Sequence, residues 1–185
     1  MRSLYTGNIL LMICCAFYLA WWMIAFKPSG AIKGMASGWL LIPAAAAGIA
    51  AILAIVRGIS GNDSGVALIP TLRIVLTGVI AYVVLLVVTN LLLKRPVTTE
   101  LLLIVGWAVL AVAEVSALYG YRVFAAGQAW IFAAVVILMA VISMICYLFY
   151  YKLDEVAGYY DGIAPLAIVA AVMLAITIAM RISAR

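Results

Sequence analysis

The stretch from Phe124 to Tyr151 reads FAAGQAWIFAAVVILMAVISMICYLFYY and contains no charged residue. A helix needs about 20 predominantly apolar residues to cross the hydrocarbon core of a bilayer. This stretch is longer than that, so a helix formed by it must tilt, kink or extend past the hydrocarbon. It is therefore predicted to be a membrane-spanning helix.

The composition of the whole chain agrees with this prediction. Of its 185 residues, 70% are hydrophobic and 9% are charged. A water-soluble domain has roughly 45–50% apolar and about 25% charged residues. No segment alternates between polar and apolar residues as a membrane β-barrel strand does, and in lipid only helices or closed barrels satisfy the backbone hydrogen bonds. We predict an all-α integral membrane protein.

Six apolar segments can be drawn along the sequence, separated by glycine, proline, asparagine, aspartate and basic residues that are typical of loops and interfaces. Their connections are short, so consecutive helices should be antiparallel neighbours in one bundle. Residues 1–185 are predicted to form a single polytopic membrane domain without a soluble domain. The segments are about 5–26, 36–56, 66–93, 99–119, 124–151 and 158–180.

Local similarities also allow two inverted three-helix repeats, 5–93 and 99–183. The sequence NILLMI from Asn8 resembles ELLLIV from Glu100, and DSGVALIP from Asp63 resembles YDGIAPLA around Asp161. Because three is an odd number of spans, the second copy would be inverted in the membrane, as in many secondary transporters. The alternative is that apolar segments align by chance.

The basic residues are scattered, so no run of them predicts nucleic-acid binding. With six spans, equal numbers of loop and terminal basic residues fall on the two sides, and the positive-inside rule leaves the orientation open. We expect a multi-pass protein of a bacterial or archaeal cell membrane. The N-terminal side holds Arg2, Arg57, Arg122, Arg181 and Arg185, and the opposite side holds Lys27, Lys33, Lys94, Arg95 and Lys152.

The chain contains no histidine, the commonest metal ligand and the easiest general base near neutral pH. Cys14, Cys15 and Cys146 lie within apolar runs, where a thiol usually packs as a small hydrophobic group. We therefore predict no metal and no cofactor.

Glu114 lies within the fourth apolar segment and is the first candidate for a functional residue. A charge in a membrane span costs about 2.5–3.5 kcal/mol on insertion scales, so it normally has a partner. Arg73, at a similar predicted depth in the third segment, is the expected partner in an ion pair. Asn8 and Gln128 fall on the same side and extend a polar vestibule. The candidate substrate-binding or gating residues are Glu114, Arg73, Trp107, Tyr121 and Gln128.

A second cluster lies in YYKLDEVAGYYDG, residues 150–162. Interfacial tyrosines and an acidic helix cap explain it without any ligand. The alternative is an acidic, aromatic mouth that attracts cations, in which Trp21 and Trp22 participate. The candidate residues are Asp154, Glu155, Tyr159, Tyr160 and Asp161.

We expect a small-solute transporter or channel-like protein that handles a small cation or an amphipathic molecule at the Glu114–Arg73 site. One alternative is a non-transporting subunit, sensor or assembly factor in which the ion pair only stabilises the bundle. Another is a lipid-modifying membrane enzyme that uses the acidic cluster. The small residues in PAAAAGIAAILA, Pro43 to Ala54, predict a close helix contact or a homo-oligomer interface in the second segment.

Overall fold

A computed structural model describes residues 1–27, 37–62, 66–93, 99–150 and 152–183. Within these ranges the chain forms six α-helices, each long and apolar enough to cross a membrane, and no strand. The predicted six-helix, multi-pass bundle is confirmed. The helices are α1 (Arg2–Ala25), α2 (Leu41–Ser60), α3 (Thr71–Leu93), α4 (Thr99–Gly120), α5 (Ala126–Tyr150) and α6 (Glu155–Ser183), with a short 3₁₀ helix (Ser37–Leu40) before α2.

The largest difference from the predicted segments is at the start of α3. Residue 66 is not helical, and α3 begins only at Thr71. Pro70 suits a helix start because it has no N–H to pair and a fixed φ, and its carbonyl accepts from Arg73 N at 2.9 Å. The predicted boundaries at 36 and 151 and the charges of Lys33, Lys94, Arg95 and Arg185 lie outside the described residues.

Helix α4 is the central helix of the bundle. It packs against α2, α3, α5 and α6, whereas α1 packs mainly along α2 and α6. Residues 111–118 of α4 are buried without interruption. A polar side chain on this part of α4 therefore faces other helices and not lipid.

Helices α1 and α2 approach each other closely at two glycines. A Cβ at Gly7 would lie 2.5 Å from Ile55 Cγ1 and 3.2 Å from the carbonyl oxygen of Ala51. On the other side of the contact, Gly58 lies against Leu4. The close contact predicted for the second segment is thus formed with α1, inside the chain. The homo-oligomer stays a prediction, as does the internal repeat.

The helices alternate in direction, which defines two ends of the bundle. Side A holds the first residues of α1, α3 and α5 and the last residues of α2, α4 and α6; side B is the opposite end. At a rise of 1.5 Å per residue, Glu114 lies about 9 Å inside the side A end of α4. Asn8 lies about equally far inside the side A end of α1.

Candidate functional site

Glu114 is an acidic residue in the strongly apolar helix α4, and its side chain is completely buried. Its Oε1 accepts a hydrogen bond from Asn8 Nδ2 on α1 at 2.7 Å. The same Asn8 nitrogen lies 3.8 Å from the sulfur of Met180 on α6. Three helices therefore meet at this carboxyl group.

Two oxygens of this contact have no hydrogen-bond partner in the described part of the chain. They are Glu114 Oε2 and Asn8 Oδ1, and both are buried. Buried polar atoms in proteins are nearly always hydrogen-bonded. Glu114 and Asn8 are hydrogen-bonded to each other, yet each also carries a buried oxygen without a partner. This arrangement is unusual and needs a physical explanation.

The predicted ion pair between Glu114 and Arg73 is wrong. Arg73 is exposed in the first turn of α3. It lies two residues after Thr71, which is only about 3 Å inside the helix end at a rise of 1.5 Å per residue. Its long side chain can keep the guanidinium at the membrane surface, which is the lower-energy position for a charge beside lipid. The difference arises because α3 begins at Thr71, so that Arg73 lies nearer to side A than Glu114 does.

The other residues proposed with Glu114 are not brought to its carboxyl group. Gln128 is exposed, and its Oε1 accepts from the backbone N–H of Ala125 at 3.0 Å at the start of α5. The hydroxyl of Tyr121 donates to the carbonyl oxygen of Gly58 at 2.7 Å. Trp107 is buried on α4, and its Nε1 has no partner among the described residues. A role for these residues in binding or gating stays a prediction.

A cavity of about 360 Å³ opens at the side B end of the bundle, between α1, α4, α5 and α6. We call it the aromatic cavity, because six of its fourteen lining residues are aromatic. The Trp22 ring stacks on Phe26 with centroids 4.4 Å apart and lies 5.8 Å from the ring of Tyr150. The lining residues are Tyr18, Trp21, Trp22, Phe26, Glu100, Leu103, Ile104, Tyr147, Tyr150, Asp161, Gly162, Pro165, Leu166 and Val169.

Two carboxyl groups belong to the wall of the aromatic cavity. Asp161 is on α6, and its Oδ2 is buried without a hydrogen-bond partner among the described residues. Glu100 is in the first turn of α4. No basic residue is among the described residues that line this cavity. Its wall therefore combines negative charge with aromatic rings.

A more polar space of about 430 Å³ adjoins the aromatic cavity and shares Trp22, Phe26 and Tyr150 with it. We call it the outer vestibule. Lys27, Asp154 and Glu155 bring charge to its wall. The vestibule lies nearer to the side B ends of α1 and α5, so it extends the aromatic cavity towards the membrane surface.

The acidic and aromatic cluster of the sequence is divided among several positions. Asp154 accepts from the backbone N–H of Ala157 at 2.7 Å and caps α6, as the structural interpretation predicted. Glu155 and Tyr159 line the outer vestibule, whereas Tyr160 points away from the bundle and is strongly exposed. Asp161 lies in the wall of the aromatic cavity together with Trp21 and Trp22. The attraction of cations by these residues stays a prediction.

The aromatic cavity and the Glu114–Asn8 contact lie on the same helix faces. Helix α4 carries Glu100, Ile104, Trp107, Ala111 and Glu114 at alternating spacings of four and three, which places them on one side of the helix. Residues of two further helices show the same spacing, and we call these three rows of residues the three-helix seam. On α1 it runs through Trp22, Tyr18, Cys15, Leu11 and Asn8, and on α6 through Gly162, Leu166, Val169, Met173, Ile176 and Met180.

Sequence reasoning missed Glu100, Tyr18 and Tyr147 as lining residues. The signal for Glu100 was present, because it lies fourteen residues before Glu114 and two heptads place both on one helix face. Tyr18 and Tyr147 gave no separate signal, because aromatic residues are frequent near the ends of membrane helices.

The described residues contain no group of three or more histidine, cysteine, aspartate or glutamate side chains that could hold a metal ion. Comparison of the chain with protein-family models, curated proteins and solved structures finds no match. The geometry of the aromatic cavity and of the Glu114–Asn8 contact is therefore the evidence on function.

Proposed function

We propose that the protein is a membrane transporter for small organic cations and that it binds them in the aromatic cavity. The observation that carries this proposal is the composition of the cavity wall: six aromatic residues and two acidic residues, with no base among its described residues. Such a wall favours a positively charged ligand with an apolar body over a neutral or anionic one.

The aromatic rings supply the first part of the recognition. The faces of tryptophan, tyrosine and phenylalanine attract cations, with about 0.5–1 kcal/mol per contact at exposed sites and about 2 kcal/mol when the cation is desolvated. Trp22 is held in place for this role, because its Nε1 donates to the backbone oxygen of Tyr159 at 3.2 Å. Quaternary ammonium groups are the ligands that such aromatic cages typically bind.

The acidic residues supply the second part. Asp161 Oδ2 has no hydrogen-bond partner among the described residues, and the neutral thiol of Cys146 is the side chain that interacts with this carboxyl group. A ligand cation would compete only with that weak donor. The size of the cavity also fits, because small-molecule sites usually have volumes of about 300–1,000 Å³. A monocyclic aromatic ammonium ion is of suitable size and charge.

Calorimetry with phenyltrimethylammonium and the detergent-purified protein tests the binding step. We expect Asp161→Asn to weaken binding about tenfold, which corresponds to about 1.4 kcal/mol. Asp161→Glu should restore part of the affinity. The neutral isostere tert-butylbenzene should compete poorly, because it has the same shape but no charge.

Trp22→Leu and Trp130→Leu form a matched pair for the aromatic contribution. Trp22 lines the cavity, whereas Trp130 on α5 is 54% exposed and lies at the opposite end of the bundle. Only Trp22→Leu should weaken binding. Equal affinities in wild type, Asp161→Asn and Trp22→Leu would exclude this cavity as the cation site.

A binding protein or sensor without transport activity is the second candidate. It is favoured by the middle of the three-helix seam, where Trp107, Met173 and Ile176 are buried between the aromatic cavity and Glu114. Flux of the same cation into proteoliposomes distinguishes the two functions. Binding with saturable flux supports a transporter, and binding without flux supports the sensor.

A further inference from the structure

The Glu114–Asn8 contact lies outside the aromatic cavity and contains two buried oxygen atoms without hydrogen-bond partners among the described residues. One hydrogen bond, from Asn8 Nδ2 to Glu114 Oε1, joins the two groups. The other oxygen of each group, Glu114 Oε2 and Asn8 Oδ1, is buried and has no donor within the described ranges. An amide oxygen and an ionised carboxylate oxygen are both acceptors only. Two acceptors cannot satisfy each other without a hydrogen between them.

No base of the described chain is buried with Glu114. Throughout the described chain, the buried polar side chains besides Glu114 itself are those of Asn8, Thr89, Ser116, Ser143 and Thr177, and none of them is basic. The hydroxyl of Tyr121 is engaged with Gly58, and Cys15 on α1 lies two helical turns away from Asn8. Every described arginine at side A is exposed: Arg2 on α1, Arg57 on α2, Arg73 on α3, Arg122 after α4 and Arg181 on α6.

A buried charge without a counter-ion is strongly unfavourable, and a buried polar atom without a partner adds to that cost. A single hydrogen removes both problems at Glu114. It neutralises the carboxylate, and it makes Glu114 Oε2 a donor where both unpaired oxygens were acceptors.

We propose that Glu114 and Asn8 form a proton-binding site in which one proton is held between Glu114 Oε2 and Asn8 Oδ1. In this closed pair, Oε2 donates to Asn8 Oδ1 and Asn8 Nδ2 donates to Oε1. The proton comes from water, the carboxylate becomes a neutral carboxylic acid, and the protein gains one positive charge. The nearer membrane surface is side A, about 9 Å away by helical rise, so proton exchange takes place from that side.

Infrared spectroscopy of the full-length protein in lipid at neutral pH tests this site. The wild-type spectrum should contain the carbonyl stretch of a protonated carboxyl group, and the spectrum of Glu114→Gln should lack it. Glu114→Gln keeps the geometry, because the new amide N–H donates to Asn8 Oδ1. We therefore expect its melting temperature to stay close to that of wild type. If Glu114→Gln loses carboxylate bands and keeps every carboxylic acid band of wild type, Glu114 is ionised in wild type and the proposal is overturned.

Asn8→Leu tests whether the proton is shared with the amide. It removes the acceptor of the carboxylic acid hydrogen and the donor to Oε1, so the carbonyl band should move to higher frequency. An unmoved band would contradict the closed pair.

Should the variants fail to fold, wild-type protein with ¹³C in the glutamate side-chain carboxyls gives the same information. The chain contains three glutamates, and Glu100 and Glu155 are exposed. One isotope-shifted carboxylic acid band at neutral pH supports the site. The complete absence of such a band overturns it.

Discussion

At the scale of single residues, the buried hydroxyls show how differently the same group is used in this bundle. Ser116 on α4 accepts from the backbone N–H of Ile69 at 2.9 Å and donates to the backbone oxygen of Ile69 at 2.8 Å. Ser143 on α5 is equally buried, but its hydroxyl has no partner among the described residues. Ser116 thus holds the non-helical segment before α3 by two hydrogen bonds, whereas the Ser143 hydroxyl makes no hydrogen bond to any described residue.

Ser116→Ala should therefore destabilise the protein, whereas Ser143→Ala should not. The first substitution leaves the N–H and C=O of Ile69, which are partly buried, without their partner. A fully buried unsatisfied group costs about 1–3 kcal/mol, so the loss here should lie towards the lower end of that range. The second removes a polar atom that is already unsatisfied, which is neutral or stabilising. Thermal unfolding of both variants in the same detergent checks the difference. Equal melting temperatures would show that the Ile69 contact contributes no stability.

Arg122 lies in the turn after α4 with a φ of 58°, in the left-handed region. This conformation costs a residue with a side chain roughly 1–2 kcal/mol, and glycine is the usual residue at such a helix end. We expect Arg122→Gly to raise the stability by up to about 1 kcal/mol, part of the gain being offset by the entropy of glycine in the unfolded chain. Thermal unfolding measures the change. Arg122→Ala removes the same charge but keeps Cβ, so a gain in both variants would assign the effect to charge.

At the scale of helices, the glycines of α1 and α2 set how closely these two helices approach. Gly7→Ala would introduce a methyl group 3.1 Å from the backbone N of Ile55 and 3.2 Å from the Ala51 oxygen. Backbone atoms cannot turn away as a side chain does, so the helices must separate, and such overpacking typically costs about 1–3 kcal/mol.

Gly106→Ala is the matched control for Gly7→Ala. Gly106 also lies within a helix, but among the described residues no atom beyond its chain neighbours and the adjacent backbone of its own helix is within 4 Å of the position that a Cβ would take there. Alanine at this position should raise the stability by about 0.5–1 kcal/mol through helix propensity. Because Asn8 follows Gly7 directly, separation of α1 should also disturb the Glu114 contact. Equal effects of both substitutions on unfolding would contradict a close contact between α1 and α2.

At the scale of the whole molecule, the seam of α1, α4 and α6 connects two sites near opposite ends of the bundle. Glu100 in the aromatic cavity and Glu114 are separated by about 21 Å along α4, with Trp107 halfway between them. If a cation enters from side B and a proton from side A, both charges act on side chains of the same three helices. This arrangement suits exchange of one positive charge for the other.

Glu114→Gln should therefore abolish the response of cation flux to a pH gradient in proteoliposomes. The prediction rests on both proposals, because it needs a transported cation and a releasable proton. Binding of phenyltrimethylammonium should remain, since Glu114 is not in the wall of the aromatic cavity. Trp130→Leu controls for reconstitution and should respond like wild type. A gradient-driven flux that persists in Glu114→Gln would exclude coupling through this residue.

The amino-acid sequence was enough to predict six membrane-spanning helices, because runs of about 20 apolar residues have one low-energy solution in lipid. It also determined that Glu114 needs a partner, because a charge at that depth is costly. It placed Asn8 on the correct side, although it named Arg73 as the partner.

The identity of the side chain that meets Glu114 depends on how the helices pack in three dimensions. Segment depth can be counted from sequence, but the start of α3 at Thr71 moved Arg73 to the surface and left Asn8 at the matching depth. The lateral order of the helices decided the rest. It brought Asn8 on α1 to Glu114 and Met180 on α6 to Asn8, and it formed a cavity between α1, α4, α5 and α6. Hydrophobicity inserts helices into lipid but does not determine which helices become neighbours. Which helices pack together depends on close packing and hydrogen bonds between them.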